Sequence, residues 1–144
     1  MTSQNNPLYH QSGIVLLEAL LAILVFSLGV LALVGLQATA IKQSTDARYR
    51  SEASLLANDI ISQMWISDRT TATLQTNFNT SSTAYNTWFA RVQGTLPGVV
   101  ANSATAPTIA IDAQGIVTVT LFWRAPNELA GTTPHNFVTI AQIR

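Results

Sequence analysis

Few residues in this 144-residue sequence are of a type and spacing that could do chemistry. Cysteine is absent, which excludes thiol nucleophiles, disulfides and thiolate zinc sites. The two histidines form no pair, because His10 lies in a polar N-terminal stretch and His135 in a Pro-flanked loop. No HExxH, P-loop, GxSxG or dinucleotide pattern occurs. Asp112 falls in turn chemistry and Glu128 in a loop, where each reads as a turn or solvated residue. The sequence therefore reads as a non-enzyme with no catalytic residue, metal or cofactor. One residue stands apart. Glu18 is the only charge in Ile14–Leu36, IVLLEALLAILVFSLGVLALVGL. A carboxylate at the centre of a bilayer span costs about 2.5–3.5 kcal/mol on insertion scales.

The stretch around Glu18 needs a long helix. At ~1.5 Å per residue it spans roughly 34 Å, enough to cross a ~30 Å bilayer core, and it has no polar face. Thirteen mostly polar residues precede it, ending in Gly13. A secretory signal has a basic start, a shorter apolar stretch and a small-residue cleavage site after it. Here the small residue comes before the apolar run. Seven basic and seven acidic residues cancel, so no basic field points to nucleic acid. Charged residues make up 10% of the chain, against a usual ~25%. A polar but weakly charged surface suits packing against neighbours.

The order of parts, a short polar leader, Gly13, then Ile14-Val15-Leu16-Leu17-Glu18 opening an apolar helix, resembles the class III signal of type IV prepilins and pseudopilins. The resemblance implies that a prepilin peptidase cuts after Gly13 and methylates the new Ile14 amine. Two features depart from the family pattern. The first mature residue would be Ile rather than Phe or Met, and no Lys or Arg precedes the Gly. The continuation LLEALLAILVFSLGVLALVGLQ, with Leu96-Pro97-Gly98 after a Trp-containing helix, is similar to the PilV type of minor pilin. That likeness implies a role in type IV pilus assembly or priming. It also implies a single-pass inner-membrane protein with a periplasmic head that then joins the pilus, its tip included. Its partners would be the peptidase, other minor pilins and the major pilin, not nucleic acid. Lys42, Arg48 and Arg50 alone would put the C-terminal side in the cytoplasm; the resemblance implies the opposite orientation. Glu18 then has two candidate roles: snorkelling to the interface, or neutralising the new amine of a neighbouring subunit. A minor pseudopilin of a type II secretion system shares the signal and fold. An adhesin using loops 67–83 and 125–135 is a rival of another class.

The rest of the chain reads as one α+β head. The expected organisation is a leader over 1–13, a transmembrane half-helix over 14–36, an amphipathic half over 37–66 and a globular part over 67–144. Residues 37–66 lack Pro and Gly, and Ile41, Ala53, Leu56, Ala57, Ile60, Ile61 and Met64 recur near helical spacing. One helix from about Ile14 to Ile66 is expected, against two helices broken near Gln43–Asp46. Ser27, Gly29 and Gly35 interrupt the apolar run, either for close helix packing or as a segment able to unwind. Residues 67–83 read as a polar loop. Ala84–Gln93 reads as a second helix, capped by Ser82 or Thr83 and ended by Gly94. Period-two alternation predicts strands at Thr108–Asp112, Ile116–Arg124 and Asn136–Ile143, with a tight turn at Asp112–Gly115. Together these parts make a pilin-like α+β outline, a long N-terminal helix packed on a small antiparallel sheet.

Overall fold

The computed structural model describes residues 12–129 and 131–144. Its elements are helices α1 (Ser12–Ile66), α2 (Thr71–Asn77) and α3 (Thr83–Thr95), then strands β1 (Thr108–Ile111), β2 (Ile116–Trp123) and β3 (His135–Gln142). The fold is α+β and pilin-like: a long, N-terminally apolar helix and a three-stranded antiparallel sheet in the order β1-β2-β3. The chain divides into two units, residues 1–43 and 44–144. What is described of the first is helix α1 as far as Gln43. No break occurs at Gln43–Asp46; α1 is a single element of 55 residues. It takes in Ser12 and Gly13 of the expected leader, whereas His10 and its neighbours lie outside the described residues.

The core belongs to the second unit. Ala53, Ala57, Ile60, Ile61 and Met64 recur at steps of three and four and are all buried, forming one stripe of α1. Ile41 was expected on this stripe but is 68% exposed, because it lies before the segment that meets the core. Against the stripe pack Tyr85, Trp88 and Val92 of α3 and Val117, Val119, Leu121 and Trp123 of β2. The alternation along β2 holds over its whole length, as expected of a central strand with one face to the core. Arg91 of α3 pairs with Asp59 of α1 at 2.8 Å, a half-exposed contact that adds little stability beside the packing.

Residues 67–83 are not a plain loop. They contain α2, and Leu74 and Phe78, one turn apart, are buried in the core. Asp68 organises the start of α2, accepting from the Thr70 N–H at 3.0 Å and the Thr73 hydroxyl at 3.3 Å. The Thr70 N–H holds the Asp68 carboxyl below the usual carboxylate range. Gln75 Nε2 donates to the Ile111 carbonyl at 2.9 Å and so fastens α2 to the edge of β1. Two apolar anchors and one Asp thus suffice to fold a polar segment.

Helix α3 starts as its sequence predicts, with Ser82 Oγ accepting from the Tyr85 N–H at 3.1 Å. Its end differs. The helix runs through Gly94 to Thr95, and Leu96 caps it in an extended conformation (φ −97°, ψ 129°). Pro97 is the physical cause, since proline drives the residue before it out of the helical region. Leu96 is thereby turned into the core, and Gly98, at φ +70°, completes the turn. At the hairpin, Asp112 Oδ1 accepts from the N–H groups of Gln114 (2.9 Å) and Ile116 (2.8 Å). Gly115, at φ +75°, admits no side chain, because a Cβ there would lie 2.5 Å from the Ile143 carbonyl oxygen.

Tyr85 links part of the fold's stability to alkaline pH. Its hydroxyl donates to the buried Pro107 carbonyl at 2.7 Å, and burial raises its pKa above the ordinary 10.0. The unfolded chain therefore ionises this phenol first. The stabilisation is fully present below about pH 10 and is lost as pH rises toward the folded value. Tyr85→Phe is expected to cost about 1 kcal/mol at neutral pH through the lost hydrogen bond, and to flatten the fall in stability above pH 10. Thermal unfolding of both proteins from pH 8 to 11 measures this; parallel profiles would refute it.

Candidate functional site

The candidate site is a linear one on the first unit. Gly13, Ile14 and Glu18 all lie on helical backbone of α1. Ile14 and Glu18 are four residues apart, so their side chains share one face about 6 Å apart along the axis. Among the described residues a Cβ on Gly13 would meet nothing within 4 Å, so none of them forces glycine here. The apolar side chains that follow are exposed, from Ile14 through Leu36. This helix is long and apolar enough to cross a membrane, and its apolar window is not buried within the structure. It is compatible with a membrane anchor.

Polar groups inside the run find different fates. Ser27 Oγ donates to the Ile23 carbonyl at 2.7 Å, and Thr39 Oγ1 to the Gly35 carbonyl at 3.1 Å. Each hydroxyl is satisfied one turn back along its own helix and costs little in apolar surroundings. Glu18 has no such partner: among the described residues no hydrogen bond or ion pair reaches its carboxylate. A partner must come from water, from the leader or from another molecule. Gly29 and Gly35 also face open space, with nothing within 4 Å of a notional Cβ.

The head holds a second polar cluster that the sequence reading missed. His135 is not in a loop but opens β3, paired in register with Trp123 of β2. Its ring stacks on Trp123 with centroids 5.7 Å apart and planes at 15°. Nε2 lies 2.7 Å from Glu128 Oε1, while Glu128 Oε2 accepts from the Ala125 N–H at 3.1 Å. Glu128, expected to be solvated, instead clasps the β2–β3 connection to the sheet. The period-two alternation extended back by one residue would have placed His135 on the strand.

A cavity of about 370 Å³ beside α3, lined by Tyr85, Phe89, Asn86 and Asn102 among others, carries no charged side chain. A second, of about 450 Å³, includes Asp68, Arg69 and Arg144, with Asp68 engaged in starting α2. Among the described residues no group of His, Asp or Glu side chains suits a metal ion. Comparison of the chain with protein-family models, with curated proteins and with solved structures finds no match.

Proposed function

We propose that the chain is a minor pilin of the PilV type that takes part in assembly or priming of a type IV pilus. One observation carries this reading: Gly13-Ile14 and, one turn on, Glu18, which has no partner among the described residues, open an apolar helix whose C-terminal half builds an α+β head. A prepilin peptidase would cut between Gly13 and Ile14 and methylate the freed amine. Gly13 suits that role because it costs a helix about 1 kcal/mol relative to Ala and offers no side chain to a protease cleft. The cut leaves a cation one turn from a carboxylate at the end of a membrane span. The protein would wait in the inner membrane as a single-pass subunit, its head in the periplasm, and enter the pilus, its tip included, with other minor pilins and the major pilin. On this reading it is a substrate and a building part, not an enzyme.

The test is the mature N-terminus. Intact mass of protein from pilus preparations is expected to begin at methylated Ile14. Gly13→Val is expected to leave nearly all of the protein as full-length precursor in the membrane. A start at Met1 on pilus-associated protein, or normal cutting of Gly13→Val, would overturn the proposal.

A further inference from the structure

The cavity of about 370 Å³ beside α3 has no part in the proposed role. Its size lies at the lower end of the range for small-molecule sites, about 300–1,000 Å³. Tyr85 and Phe89, one turn apart on α3, line it with rings nearly parallel, 7° apart in plane and 5.9 Å between centroids. The Tyr85 hydroxyl is committed to the Pro107 carbonyl at 2.7 Å, which ties the aromatic wall to the segment leading into β1. Four polar side chains complete the lining: Thr80, Asn86, Asn102 and Thr108. Among the described residues none of these four side chains has a hydrogen-bond partner. The loop that carries Asn102 is held from within. Ser103 Oγ donates to the Val100 carbonyl at 2.7 Å, and Oγ1 of the buried Thr105 accepts from the Val100 N–H at 3.1 Å. Within that loop Asn102 stands at φ +55°, a left-handed conformation uncommon outside glycine. A polar wall fixed before binding loses less entropy when a ligand arrives.

We propose that this cavity binds a neutral saccharide. Its lining carries no charged side chain, and Arg91, the one charged residue of α3, is paired with Asp59 of α1. A phosphate, carboxylate or ammonium group would therefore lose water there and gain no opposite charge. An Asn amide both donates and accepts hydrogen bonds, and so does a Thr hydroxyl. Sugar hydroxyls have the same dual character, so two adjacent ones match the oxygen and nitrogen of a single amide. The C–H face of a pyranose ring is apolar and suits an aromatic ring. Phe89 supplies that ring, half-buried and stacked on Tyr85. A wholly apolar ligand would cover the two amides without replacing their water, which costs affinity. The lining also has no Arg cluster and no long apolar groove of the kinds that hold peptides. The site lies in the second unit and does not depend on cutting at Gly13.

The test is an array of immobilised neutral, sialylated and sulfated oligosaccharides, with proline-rich and apolar peptides beside them. It is probed with the full-length protein in a detergent that has no sugar headgroup. Binding to neutral oligosaccharides is expected, and it should persist in high salt because no charge takes part. Asn86→Ala and Asn102→Gly are each expected to weaken that binding about tenfold. Glycine is chosen at position 102 because it keeps the left-handed backbone without strain. Both asparagines are exposed, so the two variants should unfold at the same temperature as the native protein. Asn136→Ala, on β3 and outside the cavity, should leave binding unchanged. The proposal fails if no neutral oligosaccharide is bound, or if only sialylated or sulfated ones are. It fails equally if the Asn86→Ala/Asn102→Gly double variant binds as well as the native protein, or if Asn136→Ala weakens binding as much. Peptide binding that these two substitutions abolish, without sugar binding, would assign the cavity to a peptide instead.

Discussion

Trp88→Ala is expected to lower the stability of the head by about 3–5 kcal/mol, the range for emptying a buried aromatic site. Trp88 is fully buried, at the point where α3 meets α1. Its ring lies 5.8 Å from that of Tyr85 at a tilt of 58°, within the range of favourable aromatic pairs. Its Nε1 donates to the Leu56 carbonyl at 2.8 Å, tying α3 to the helix beneath it. Alanine removes the apolar area, leaves a cavity and deletes that donor. A loss of this size is a large part of the 5–15 kcal/mol that a domain commonly has. Trp88→Phe keeps most of the volume and is expected to cost markedly less, because the lost hydrogen bond is worth only about 1 kcal/mol. Urea unfolding of the full-length protein in detergent, followed by circular dichroism, measures both. A shift for Trp88→Ala equivalent to less than 1 kcal/mol would show that α3 is not held through this residue.

The same residues show why some of the fold could be read in the sequence and some could not. Periodic signals were legible wherever burial repeats along one element. The stripe Ala53–Met64 and the alternation of β2 both lie where period alone predicts them. Features set by a single contact were not. Helix α2 depends on Leu74 and Phe78 reaching the core and on Asp68 bonding Thr70 and Thr73; two apolar residues in a polar stretch make no period. The end of α3 is set by Pro97 acting on Leu96, whereas Gly94, the more familiar stop signal, lies inside the helix with room around it. The clasp of Glu128 on His135 joins residues seven apart through a loop, so spacing carries no trace of it. On α1 the converse holds. Gly13, Ile14 and Glu18 are legible as a pattern, and the structure adds one physical fact to them: the Glu18 carboxylate has no partner among the described residues.

If the chain is a minor pilin as proposed, that carboxylate sets the second large expectation: Glu18→Val should leave the protein cut and membrane-bound while removing most of its capacity to assemble. Valine suits a bilayer better than glutamate, so insertion is preserved. Glu18 lies on the far side of the Gly13–Ile14 bond, and peptidase cutting is expected to survive. After cutting, each subunit would carry a cationic amine at Ile14 and an anion one turn away. In water the attraction of two such charges is weak, while in a filament core of low dielectric constant it is far stronger. Each ion is also costly to bury alone, so the register that seats the amine of one subunit against Glu18 of another is favoured over shifted ones. Removing the acid leaves the amine buried without a partner, a change that costs about 3–5 kcal/mol in protein interiors. Even a third of that loss lowers an association constant by about tenfold. Recovery of partner minor pilins with the Glu18→Val protein, and pili per cell, are therefore expected to fall at least about tenfold at equal levels of cut protein. Glu18→Gln separates charge from shape, since it keeps the side chain's size and removes its charge, and it should fail nearly as badly. If both variants are cut, stable and incorporated as well as the native protein, Glu18 merely reaches to the membrane surface. The pairing mechanism would then be wrong, while cutting at Gly13 would still stand on its own test.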